Sequence, residues 1–169
     1  MKSTQFFIFA LMTCSSFAFA HDGTVNISGM FRSNTCILAQ DSRAIQVSLG
    51  TLSISQFAQG HASAEKAFVI NLEQCGADVS AANVTFSGES DSAMAELLAI
   101  ETGSGAATGL AVALLDDHQA LIPLKQESKP YPLKQGKVAL TFYAQLRSTV
   151  GDVTSGAVNA SATFVVRYD

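Results

Sequence analysis

Apolar and polar residues alternate along most of this chain. Ile45-Gln46-Val47-Ser48-Leu49, Phe68-Val69-Ile70-Asn71-Leu72, Val84-Thr85-Phe86 and Leu110-Ala111-Val112-Ala113-Leu114 all follow a period of two. So does the longer run from Val138 through Leu140, Phe142 and Ala144 to Leu146. This is the spacing of a strand with one face buried. Gly50, Gly60, Gly76, Gly88, Gly103-Ser104-Gly105, Asp116-Asp117, Pro130, Gly136 and Gly151 separate the runs as turn residues do. Helical signals are confined to residues 53–66 and 92–100, and the second reads equally as a short strand over 97–100. Many short strands divided by turns predict an all-β sandwich in a single domain.

The two ends of the pattern are unusual. In HDGTVNISGMFRSN, residues 21–34, the odd positions are Gly23, Val25, Ile27, Gly29 and Phe31, while the even ones are mostly polar. This amphipathic strand has no hairpin turn linking it to the next run. At the other end, Gly156, Val158, Ala160, Ala162, Phe164, Val166 and Tyr168 share one face, with Asn159, Ser161, Thr163 and Arg167 on the other and Val165 as the exception. That pattern runs to the last residues, with nothing after it to cover its far edge. A sandwich short of its final strand exposes an apolar groove and unpaired backbone groups, which invite a strand from another chain. If each copy donates its leading strand and accepts another's, the contact is heterologous and builds an open fibre.

The first twenty residues set the compartment. Lys2, the apolar stretch Phe6-Phe7-Ile8-Phe9-Ala10-Leu11-Met12 and the small-residue ending Ala18-Phe19-Ala20 read as a secretory signal peptide, cleaved after Ala20. Cys14 leaves with it, so Cys36 and Cys75 remain, an even pair that in an exported chain predicts one disulfide. Neither has metal-ligand spacing to another Cys or His. The formal net charge is −4 with 14% charged residues and no basic cluster, which argues against a nucleic-acid partner.

The chain resembles a chaperone–usher pilus subunit of the type 1 fimbrial family. The resemblance rests on several stretches, taken in order with the signal peptide and the Cys pair. They are the alternating leader, Arg32-Ser33-Asn34-Thr35-Cys36, Phe68 to Cys75, Val84-Thr85-Phe86-Ser87-Gly88, residues 97–100, Gly109 to Asp116, Gly156 and the penultimate Tyr168. It implies an incomplete immunoglobulin-like β-sandwich lacking its final strand, spanning 34–169, preceded by a donor-strand extension over 21–33 and the signal peptide over 1–20. It also implies that Gly23, Val25, Ile27, Gly29 and Phe31 enter the groove of a neighbouring subunit, with Gly29 where the groove is too shallow for a side chain. Cys36 and Cys75 would form the disulfide. Gly156, Val158, Ala160, Ala162, Phe164, Val166 and Tyr168 would border the chain's own groove, with the Asp169 carboxylate contributing to chaperone binding. The implied partners are neighbouring pilus subunits, a periplasmic chaperone and an outer-membrane usher, with the fimbrium at the cell surface supporting adhesion. No cofactor is expected.

A different class of protein is also conceivable. A chain beginning at His21 could hold copper through its terminal amine and imidazole, completed by His61 or His118, as some secreted β-sandwich copper proteins do. His21 lies on the proposed donor strand, however, and the chain has no Trp. A tip adhesin would need a second, lectin domain. No Ser-His-Asp arrangement is legible, and Glu96 and Glu101 form no readable carboxylate pair, so no enzyme is expected. The N-x-Ser/Thr triplets at Asn26, Asn83 and Asn159 read as ordinary strand positions.

Overall fold

The computed structural model describes residues 27–29, 35–60, 62–149 and 152–169. The chain divides into the units Met1–Phe31 and Arg32–Asp169. In the first, residues 27–29 are exposed and outside any sheet, and Gly23, Val25 and Phe31 of the expected donor strand lie outside the described residues.

The second unit contains eight described strands: β1 (Ile37–Leu38), β2 (Lys66–Cys75), β3 (Ala81–Gly88), β4 (Leu98–Ala99), β5 (Leu110–Leu115), β6 (Tyr131–Pro132), β7 (Gly136–Ser148) and β8 (Ala162–Tyr168). They form two antiparallel sheets, ordered β1-β2-β7-β5-β4 and β6-β3-β8. Alternation set the faces. Ile70 and Leu72 of β2, Leu140, Phe142, Ala144 and Leu146 of β7, and Ala82, Val84 and Phe86 of β3 are buried between the sheets. Phe142 joins the two layers: its ring lies 5.7 Å from Phe68, 5.2 Å from Phe86 and 5.0 Å from Tyr131.

β5 departs from simple alternation, since all six of its residues are buried. Leu97 and Leu115 close over Ala111 and Ala113 on the outer face, with Leu121 and Tyr143 against them. The two segments with helical signals resolve differently. Ile54–Gly60 is a 3-10 helix, and the second segment contributes only β4.

Residues 45–49 were expected to be a strand. They are extended, with Ile45, Val47 and Leu49 partly buried and Gln46 and Ser48 exposed, but they join no ladder. The side-chain pattern is that of a strand; the neighbour that would bond it is missing from among the described residues.

Candidate functional site: an open groove

Cys36 and Cys75 are joined by a disulfide, with Cα atoms 4.0 Å apart, next to the β1–β2 ladder. The bond ties down the point where the chain enters the sandwich. The Gly76 N–H donates to the Thr35 carbonyl (3.2 Å), and the Cys36 carbonyl accepts from the Tyr168 hydroxyl at 3.4 Å.

Between the walls of the sandwich runs a cavity of about 1700 Å³. One wall is the extended segment 43–52. The other is residues 153–164, leading into β8. The floor is apolar: Phe57, Phe68, Phe86, Leu98, Leu110, Val112, Leu114, Ala144 and Leu146. No hydrogen bond links the two walls, and residues 44–52 make none at all to another described residue. Buried backbone groups are normally paired, so a wall without bonds marks a place where a further strand fits.

The β8 wall can be read residue by residue. On β3, the Phe86 carbonyl accepts from Lys125 N–H (2.7 Å) and the Val84 carbonyl from Ser128 N–H (2.9 Å). These two residues therefore bond away from β8. Since antiparallel partners alternate between bonded and non-bonded pairs, Asn83, Thr85 and Ser87 bond Arg167, Val165 and Thr163. Phe164, Val166 and Tyr168 then turn their N–H and C=O groups to the open edge. Their side chains point inward: all three are partly buried against the core, whereas Val165 is 65% exposed on the outside.

The remaining expected groove residues are placed as follows. Val158 and Ala160 are partly buried against the core, and both line the cavity. Gly156 and Ala162 line it but are exposed. Val166 and Tyr168 continue the same face beyond the cavity. Asp169 does not face the groove through its backbone: its N–H donates to Ala81 (3.0 Å) and its carbonyl accepts from Ser80 (3.0 Å). Ile27 is 92% exposed, and Gly29 has nothing within 4 Å of where a Cβ would stand. Segment 43–52 was not singled out from the sequence as a groove wall. Its alternation was visible, but nothing in that pattern says whether a strand faces a ladder or a gap.

The histidines do not assemble. His21 and His61 lie outside the described residues, and His118 is exposed, its Nδ1 2.9 Å from Asp117. The neighbouring Asp116 is occupied with its turn, one carboxylate oxygen accepting from His118 N–H and Ala120 N–H.

An all-β sandwich with one unbonded wall on each side of an apolar groove is an incomplete sandwich. Residues 22–169 match the family model for the fimbrial protein. The chain is 62% identical over 151 residues to the uncharacterized fimbrial-like protein YcbV of Escherichia coli K12, covering 89% of this chain and 88% of that protein. It is 35% identical to the probable major fimbrial subunit LpfA of Escherichia coli O157:H7, covering 100% and 98%. The P pilus rod subunit PapA shares the fold, with a TM-score of 0.69 at 24% identity over 79% of this chain and 99% of that one. The chain belongs to the fimbrial protein family. It is a structural subunit of a pilus, not an enzyme, and that membership gives the copper reading no support.

Proposed function

We propose that this subunit polymerises by donor-strand exchange. In this reading residues 1–20 are the signal peptide, 21–33 the extension and 34–169 the accepting body. Val25, Ile27, Gly29 and Phe31 of an incoming extension lie in the groove, with Gly23 at its end. Their backbone bonds both Phe164, Val166 and Tyr168 on one side and segment 44–52 on the other. Val25, Ile27 and Phe31 each contribute about 1.5–3 kcal/mol on burial, and the new ladder adds backbone hydrogen bonds to groups now unbonded. Before that, a periplasmic chaperone fills the same groove and an outer-membrane usher directs the exchange; the finished fimbrium supports adhesion at the cell surface.

The observation that carries this reading is the pair of unbonded walls over an apolar floor. Hydrogen exchange of the purified chain with and without a synthetic peptide of residues 21–33 tests it. The reading expects new protection at the amides of 44–52 and of Phe164, Val166 and Tyr168 together. Protection elsewhere, or at neither wall, contradicts it.

A further inference from the structure

We infer that β6 is a barrier edge: Pro130 and Pro132, flanked by Lys129 and Lys134, shut it to strand addition and confine joining to the other edge of the same sheet. The barrier itself stands on the geometry of β6. That the confinement serves fibre growth rests on the donor-strand reading above.

The three-stranded sheet has two outer strands, β8 and β6. An edge strand presents a row of unpaired backbone groups, so each is a place where another chain could pair. In β6, Tyr131 pairs with Ala82 and Pro132 with Ala81. The Leu133 N–H donates to the Ser80 carbonyl at 2.9 Å. Successive residues of a strand turn their backbone groups to opposite sides. Tyr131 and Leu133 therefore face β3, and residues 130 and 132 face away from it. Both outward positions are proline, which has no N–H to donate. The side chains follow the same alternation: Tyr131 and Leu133 are buried, whereas Pro130 and Pro132 are exposed.

The prolines are not scattered. The chain has three, Pro123, Pro130 and Pro132, and two of them fall on these outward positions. Just ahead of β6, the Lys125 and Ser128 N–H groups donate to Phe86 (2.7 Å) and Val84 (2.9 Å), so the segment follows β3 along its length. Lys129 and Lys134 are exposed on either side of the outward prolines. An incoming strand would have to pass two cationic side chains and would find no donor at two successive outward positions. Proline and lysine are the residues that keep an edge from pairing. Residues 44–52 and 153–169, which make up the two walls and β8, contain neither. In the five-stranded sheet the described edges are covered or short. The Ala99 N–H donates to Glu89 (2.9 Å) and the Asp91 N–H to Leu97 (3.0 Å), which bonds β4 on its outer side, and β1 has two residues.

The test replaces the prolines in the full mature chain and follows self-association with a peptide of residues 21–33 in excess, which on the donor-strand reading occupies the groove. Pro130→Thr/Pro132→Thr restores two N–H groups on residues that favour strands. Size-exclusion chromatography should show this variant shifting from monomer to dimer and larger species, with new hydrogen-exchange protection at residues 129–134. Pro130→Lys/Pro132→Lys restores the same N–H groups but adds charge, and should stay monomeric like the wild type. Circular dichroism verifies the fold of each, and Pro132→Thr alone should show a weaker form of the same shift. Folded threonine variants that remain monomeric overturn the barrier, as does association with protection only at 44–52 and β8. Equal association of the threonine and lysine variants removes the lysines from the proposal. Wild-type chain that associates through the groove despite the peptide counts against the donor-strand reading instead, and protection at 129–134 still decides β6.

Discussion

A β-carbon on Gly156 would overlap the carbonyl carbon of Ala106 and the amide nitrogen of Ala107, and would lie 2.6 Å from the Ala106 carbonyl oxygen. The obstruction is backbone on both counts, and it cannot rotate away. The close approach is held by the Ala157 N–H donating to Gly105 (2.8 Å) and the Ala107 N–H donating to Ala157 (2.9 Å). Gly156→Ala should therefore cost about 1–3 kcal/mol as overpacking, seen as a lower urea midpoint. Cys36 and Cys75 close a loop with a sequence separation of 39, and replacing both with Ala should cost about 4 kcal/mol in the chain-entropy account, read from the same titration. Tyr131 makes a pH prediction. Burial, and then the charges of Asp117 and Asp116, push its phenol well above its ordinary value of 10.0, although a bond from the Asp117 N–H pulls the other way. The unfolded chain releases that proton near pH 10 while the folded chain keeps it. Stability from this group is thus present below pH 10 and declines as pH rises above it. Alkaline denaturation should show a shallower decline for Tyr131→Phe than for the wild type above pH 10. The cysteine pair could be read by counting, because two remain after the signal peptide. The reason for Gly156 could not, since its obstruction comes from residues 106 and 107, about fifty positions earlier.

At the scale of elements, alternation located β2, β3, β5, β7 and β8, because each has one face on a shared core. It was least informative where a face is covered by something other than the opposite sheet. β5 is buried on both faces by Leu97, Leu121 and Tyr143 as well as the main core, and residues 45–49 have a strand's pattern without a strand's bonds. The groove was legible as an incomplete edge at β8 but not as a space between two walls, since its second wall is joined to the first by no hydrogen bond. The donor strand belongs to this scale too. Gly29 has open space around it in its own chain, so Gly29→Leu should leave the urea midpoint of the body unchanged. Under the donor-strand reading the same variant, assembled in cells, should give no fibre; full-length fibres seen by electron microscopy would remove the shallow groove position assigned to Gly29.

At the scale of the molecule, the sandwich is large enough to bury a core including Ile70, Leu72, Val84, Leu140, Phe142 and Leu146, all at 2% exposure or less, yet leaves a cavity of about 1700 Å³ along one side. On the donor-strand reading a pilus subunit has reason to be built this way: the defect in one copy is the joint for the next. The central claim is that residues 22–33 supply what the body lacks. The most direct measurement is to fuse a second copy of residues 22–33 behind Asp169 through a short flexible linker and compare thermal unfolding and size with the unfused mature chain. The account predicts a monomer that melts at a clearly higher temperature and no longer accepts the free peptide. A fused chain with an unchanged melting temperature, still binding that peptide, would contradict it.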